Sequence, residues 1–304
     1  MHFKDFFYRQ YYTRSFPFRQ NNQANTRNVD LAKPINKEAF QAIKDKNNPV
    51  FQAANDLLKS TGLQPGDYYL LEIPTFNGVT VNPISFTTVY PGLILGTGYV
   101  HETNNEAEFK LGFYFDHTTG LPCIPGSSIK GVLRSMFPQF GEKHPYKAID
   151  TLNEEQQSKV DFIARQLGWD QNNNKSQLIH QLELAIFEGV DLVKTSINFN
   201  NGKEEIIHSS IYKRFCFHNG FISHAPGNKI FEIDTITPHG TNPLKNPTPL
   251  NFLKIRPNVT FNLQIIMHTL TAIPISTVQI RDLFISILRI TGLGAKTNVG
   301  YGQW

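Results

Sequence analysis

The chain has 304 residues, a length that suits one large domain with insertions or two smaller ones. With 40% apolar residues and no apolar run approaching 18, the composition is globular and excludes a helical membrane span. A net charge of +4 permits nucleic-acid binding without requiring it, and two cysteines, Cys123 and Cys216, both in apolar surroundings and without metal-type spacing, argue against a disulfide framework or a zinc site.

The first 18 residues hold eight aromatics, Phe3 through Phe18, and residues 1–30 add Lys4, Arg9, Arg14, Arg19 and Arg27 against Asp5 and Asp30. Interleaved arginines and aromatics suit stacking on unpaired bases. The competing reading is an arm that docks its rings on a partner or on the chain's own core. It is favoured, because eight aromatics are too many to leave in water. Charges among the rings do not fit a secretory signal, so the expected compartment is the cytoplasm. Residues 37–60 predict a helix in two pieces, 37–46 and 51–60, interrupted near Pro49 and stopped at Gly62. Residues 68–100, rich in Tyr, Thr, Val, Ile and Phe and broken by Pro74, Pro83 and Pro91, are strand and turn material, and 109–115 add a further strand.

Ile129, Val132, Leu133, Met136 and Phe137 fall at helical spacing on one apolar face. Ser127 or Ser128 is placed to cap this helix, Gly126 allows a tight approach to it, and Pro138 ends it. Residues 151–189 predict two more helices split by the Asn-rich loop 171–175. Residues 206–236 return to strands, 237–250 form a proline-rich loop, and 252–270 form one or two strands with a turn at Pro257 and Asn258. A last helix over about 278–290 carries Ile280, Leu283, Phe284, Ile287 and Leu288 on one face, and Gln303 and Trp304 are left as the stub of a final strand. The order strand, helix, strands, helix, strand predicts an α+β fold with a ferredoxin-like (RRM-like) core. Residues 1–70 are then an extension, and 71–304 the domain, with a helical insertion near 140–205.

Two glycine segments carry the candidate chemistry. In Ile124-Pro-Gly-Ser-Ser-Ile-Lys-Gly131, a helix N-terminus offers N–H groups and partial positive charge to an anion. Ser127, Lys130 and Arg134 lie opposite the apolar face. Lys130 and Arg134 are like charges four apart, mildly repulsive unless an anion sits between them. The bland alternative, a capped surface helix with solvated cations, weighs about as much. The second segment, Gly-Leu-Gly-Ala-Lys-Thr-Asn-Val-Gly-Tyr-Gly over 292–302, follows a helix. It is therefore no dinucleotide fingerprint, and it lacks the Gly-Lys-Ser/Thr ending of a P-loop. Four glycines exceed what a helix stop needs, so backbone contact with a ligand chain is expected, helped by Lys296 and Thr297.

Ile124 through Arg134, paired with Gly292 through Gly302, resembles the RAMP superfamily of CRISPR-associated RNA-binding proteins. Asp234-Thr-Ile-Thr-Pro-His239, followed by Pro247-Thr-Pro-Leu-Asn-Phe-Leu253, narrows the resemblance to the sixth-subunit type of the type III-B effector, the Cmr complex. The resemblance covers about residues 85–304. It implies a ferredoxin-like fold and assembly with other RAMP-type backbone subunits and the small helical subunit. It also implies a place near the 3′ region of the CRISPR guide RNA, capping the filament that pairs the guide with target RNA. The residues that inherit RNA contact are Gly126, Ser127, Ser128, Lys130, Arg134, Gly292, Gly294, Lys296, Thr297 and Gly300, with His239 in a structural or base-stacking role.

No Asp/Glu/His cluster predicts a metal, and no cofactor is expected. His101, His117, His224 and His239 lie in loop-like segments without an obvious catalytic partner. In the resembled family the repeated filament subunit cleaves RNA with an aspartate upstream of the Pro-Gly-Ser-Ser segment. The matching place here is near Lys110, with Glu106 and Glu108 close by and no aspartate, so the expectation is a non-catalytic subunit. Two alternatives remain open: a RAMP-type metal-independent endoribonuclease that processes CRISPR RNA through a histidine, and a scaffold that touches only proteins.

Overall fold

The computed structural model describes residues 79–81, 83–95, 113–116, 121–149, 151–236 and 250–304. The expected helices over 37–60, the aromatic arm, His101, His117, His239 and the stretch around Lys110 lie outside the described residues.

Alternation builds the central sheet. In β2 (Ile84–Thr87) Ile84 and Phe86 are buried while Ser85 and Thr87 face solvent. In β8 (Thr260–Leu263) Phe261 and Leu263 are buried. With β5 (Gly220–His224) and the two-residue β3 (Cys123–Ile124), these strands form a four-stranded antiparallel sheet in the order β2-β8-β5-β3. The outer face is hydroxyl-rich and pairs across strands: Ser85 Oγ donates to Asn262 Oδ1 at 3.1 Å, and the Thr87 and Thr260 hydroxyls share a 2.9 Å bond.

A three-stranded sheet continues this one. β1 (Val79–Val81) runs into β2, and β9 (Ile265–His268) follows β8 after a single residue, Gln264. β4 (Cys216–Phe217) precedes β5, and the order is β1-β9-β4. The ladder from Val79↔His268 to Ile84↔Leu263 keeps one register, whereas Phe217↔Ile265 and Phe221↔Asn262 differ by one residue. The slip falls where the His218 N–H meets the Gln264 carbonyl at 3.0 Å. A bulge there bends one long sheet into two. The expected one or two strands over 252–270 are therefore three: β7 (Leu250–Ile255), which pairs with β6 (Phe231–Ile236) in its own hairpin, then β8 and β9.

Helices cover the buried face. α1 spans Gly126–Ser135 and buries Ile129 and Leu133, with Phe137 just beyond. The segment 140–205 holds α2 (Glu154–Leu167), α3 (Lys175–Glu183), a π-helical turn (Leu184–Glu188) and α4 (Leu192–Asn200). α2 starts in a reciprocal box: Asn153 Oδ1 accepts the Gln156 N–H at 2.8 Å, and Gln156 Oε1 accepts the Asn153 N–H at 3.2 Å. The break between α2 and α3 falls where the Asn-rich loop predicts it. α4, capped by Asp191, is an element that the periodicity of 151–189 does not reach. α5 (Thr277–Thr291) buries Ile280, Leu283, Phe284, Ile287 and Leu288, the whole predicted face, at ~1.5–3 kcal/mol for each full burial. Phe187, Phe217 and Phe284 link the helical segment through β4 to α5, with ring centroids 5.9 and 6.2 Å apart. Gln303 and Trp304 form no strand; among the described residues the Val89 N–H to Gln303 O bond at 3.2 Å, and the Trp304 ring 5.3 Å from that of Phe86, tie them to β2. Among the described residues no helix is long and apolar enough to cross a membrane.

Candidate nucleic-acid interface

The first glycine segment turns directly from β3 into α1. The expected serine cap is absent: Pro125 occupies the cap position and no side chain bonds there as an N-cap. Instead Asn219, in the link between β4 and β5, accepts the Gly126 N–H on Oδ1 at 3.0 Å, so part of the helix N-terminus is satisfied from across the sheet. Gly126 is buried, and a Cβ there would overlap the Phe217 carbonyl oxygen. The close approach expected of this glycine is therefore to the chain's own β4. Ser127 and Ser128 are exposed.

The two cations of α1 are engaged within the chain. Lys130 Nζ donates to the Phe187 carbonyl at 2.8 Å, in the π turn. Arg134 Nη2 stands 2.5 Å from Glu188 Oε1. Both partners come from the helical segment some fifty residues downstream. The repulsion that an external anion was expected to relieve is relieved internally. Arg134 also lines a cleft of about 540 Å³ with Phe140, Glu183 and Glu188. Burial pushes the Glu183 carboxyl up to about 6, opposed by the Gln139 N–H and by Arg134.

The second glycine segment behaves differently. The Leu293 N–H donates to the Gly302 carbonyl at 2.9 Å, Ala295 N–H to Ile94 O at 2.8 Å, and Gly302 N–H to Gly92 O at 2.8 Å. The loop is thus bolted to the turn after β2. Gly294 and Gly302, at φ 88° and 70°, sit where a Cβ would overlap the Ile94 and Leu293 carbonyl oxygens. Gly292 ends α5, its N–H on the Leu288 carbonyl at 2.8 Å, and Gly300 rests near the Pro91 ring. The glycines again serve internal crossings, but they leave the apex outside. Lys296 is exposed, with φ 58°, and Thr297 follows in a short 3₁₀ turn. The Lys296, Thr297 and Asn298 N–H groups meet no acceptor among the described residues. Successive N–H groups in this αL-then-αR geometry can face an anion.

The two segments do not converge. α1 follows β3 and the glycine loop is bonded to the turn after β2, the two outer strands of the four-stranded order, so three strand spacings, about 14 Å, separate their attachments across the sheet.

A third cluster, which local patterning does not reveal, sits beside the loop. Tyr301 OH donates to Asp234 Oδ2 at 2.6 Å, and Lys254 Nζ lies 2.7 Å from the same oxygen and 3.4 Å from Glu232 Oε2. Burial raises the Asp234 carboxyl, but bonds from Lys254, Tyr301 and the Thr235 N–H outweigh it and hold the group below the usual range. Burial and that carboxylate push the Tyr301 hydroxyl up. Asp234, the first residue of the 234–239 segment, thereby touches the glycine loop. Its His239 lies outside the described residues. Of the cysteines, Cys123 is buried, and burial and Asp116 push its thiol up to about 12; Cys216 is exposed, contrary to its apolar sequence context, because β4 is short and on a sheet edge.

Residues 85–303 match the family model of the RAMP superfamily. No curated protein matches the chain. Among solved structures it is similar to a chain in the cryo-EM structure of the Type III-B Cmr-beta bound to cognate target RNA, at 23% identity and TM-score 0.43, covering 86% of this chain and 64% of that one. It is also similar to the crystal structure of Cmr6 from Pyrococcus furiosus, at 20% identity and TM-score 0.38, covering 74% of this chain and 97% of that one.

Proposed function

The chain belongs to the RAMP superfamily, and from that premise we propose that it is a non-catalytic RNA-binding subunit of a type III-B CRISPR effector. In this reading it binds the 3′ region of the guide RNA and caps the backbone filament where target RNA is recognised. Its partners are guide and target RNA, other RAMP-type backbone subunits and the small helical subunit, and it works in the cytoplasm.

The observation that carries the reading is the apex of the 292–302 loop, where an exposed lysine, a threonine and N–H groups that meet no acceptor among the described residues are mounted on a joint of backbone bonds. Such a surface suits a phosphate chain of any sequence. The ferredoxin-like core belongs to the same reading: β2, α1, β5, β8 and α5 follow the order strand, helix, strand, strand, helix, and Gln303 meets Val89 where a fourth strand would add. The subunit is read as non-catalytic because the sequence near Lys110, where the resembled family's repeated filament subunit carries its aspartate, holds Glu106 and Glu108 but no fitting aspartate.

The test is purification of the tagged protein from its host with identification of co-purifying proteins and RNA. Several RAMP-type proteins and short RNAs sharing a 5′ tag are expected. Recovery of the protein alone, with cleavage of added RNA, would replace this reading with the endoribonuclease. In RNA titrations of the recovered assembly, Lys296→Glu is expected to weaken binding and flatten the log–log salt slope by about 0.7 per lost phosphate contact.

A further inference from the structure

Among the described residues, Tyr90 is the most exposed aromatic near the glycine loop. Its side chain is 84% exposed, and the neighbouring Val89 and Val299 are 43% and 62% exposed. What marks the place is the grouping of these three exposed apolar side chains beside the loop, since contiguous apolar surface points to a partner where single exposed residues do not. The mounting of the ring is rigid. The turn that carries it is closed by Gly92 N–H to Val89 O at 2.7 Å, tied to β7 by Leu93 N–H to Ile255 O at 3.0 Å, and tied to the loop by the Val89–Gln303 and Gly302–Gly92 bonds. Beside the ring stands Lys254 Nζ, 5.9 Å from its centroid, itself 5% exposed and anchored by Asp234 and Glu232. The ammonium, held there by its two carboxylates, lies within cation–π reach of the ring and occupies one side of it. Pro91 packs against Gly300, so the ring lies next to the loop whose apex is Lys296 and Thr297.

We propose that Tyr90 is a stacking platform for one unpaired nucleobase of the RNA strand whose phosphates lie along the 296–298 apex. The proposal rests on the RNA-binding reading and adds to it a site for a base. The base must be unpaired, because a ring can cover only a face that its neighbours have released. Selectivity is for a π face and not for a sequence, since every base has one.

The experiment uses the full chain, alone and in the assembly with which it purifies, titrated with fluorescently labelled single-stranded RNA of mixed sequence. Tyr90→Ala and Tyr90→Leu are each expected to weaken binding roughly 5- to 100-fold. Tyr90→Phe should stay within about twofold of wild type, and the salt slope should be unchanged in all three, because no phosphate contact is lost. RNA carrying 2-aminopurine at successive positions should show one position whose fluorescence change disappears in Tyr90→Ala. Wild-type affinity in Tyr90→Ala overturns the platform. Wild-type affinity in Tyr90→Leu does so too, because apolar bulk, of the kind a protein partner would use, is then enough. If Lys296→Glu still weakens binding in those cases, the RNA-binding reading stands without the platform. If wild-type protein binds no RNA in either form, both fall.

Discussion

The two glycine segments look alike as residues and are built differently. In both, glycines are present because the chain crosses its own backbone: Gly126 against Phe217, and Gly294 and Gly302 against Ile94 and Leu293. At the start of α1 the cations are then spent inside the chain, Lys130 on the Phe187 carbonyl and Arg134 on Glu188. At the second segment the crossings act as a pedestal, and Lys296 stands clear of the protein. A glycine beside a lysine therefore says that something comes close. Whether that something is a ligand or the chain itself is decided by residues far away in sequence.

This contrast can be broken at its strongest point by Gly302→Ala. Its φ of 70° and the overlap with the Leu293 carbonyl predict a loss of about 2–5 kcal/mol in denaturant unfolding. Gly300→Ala, at φ 97° but with its added carbon meeting Pro91 at an ordinary 3.4 Å, should lose only about 1–2 kcal/mol. Equal losses would mean that the loop is not clamped.

The next effect concerns the cleft beside Arg134. Glu183 binds its proton more tightly when folded, about 6 against an ordinary 4.5, so folding stability falls as pH rises through that interval. The penalty is complete above about 6 and absent below about 4.5. Glu183→Gln, which still offers an oxygen to the Gln139 N–H, should gain up to ~2 kcal/mol at pH 8 and nothing at pH 4, read from unfolding at both.

Lys130→Ala should cost about 1 kcal/mol of stability by orphaning the Phe187 carbonyl, and should reduce RNA affinity less than Lys296→Glu does. The reverse ranking would restore Lys130 as a direct RNA contact. The smallest effect is a gain. Gly131 is exposed within α1, and a Cβ there meets nothing within 4 Å, so Gly131→Ala should add about 0.5–1 kcal/mol and leave RNA binding alone.

What could be read ahead of the structure follows the range of the interaction. The apolar faces of α1 and α5 are local periodicities, and the structure buries Ile129, Leu133 and the five α5 residues. The break between α2 and α3 was also visible, in a run of asparagines. The π geometry of Leu184–Glu188, inside a stretch that reads as helical, and α4 were not, since neither has a spacing that stands out. The Asn219 cap, the Lys130 bond and the meeting of Tyr301 with Asp234 join residues 57 to 93 positions apart, and no local pattern encodes such pairs. Tyr90 had no signal at all, because exposure is a property of the finished surface.

The joint between the turn after β2 and the residues around Gly302 also bears on how the chain is made. Val89 and Gln303 lie roughly two hundred positions apart, and their bond closes a loop that contains nearly all the described residues. Closing so long a loop carries an entropic penalty that local helices do not meet, so it belongs late in folding. On the ribosome, α1 and the helices of 140–205 can form while the edge of β2 still waits for a partner that has not been synthesised. During that interval an unpaired strand end and an exposed tyrosine turn are open to wrong pairing.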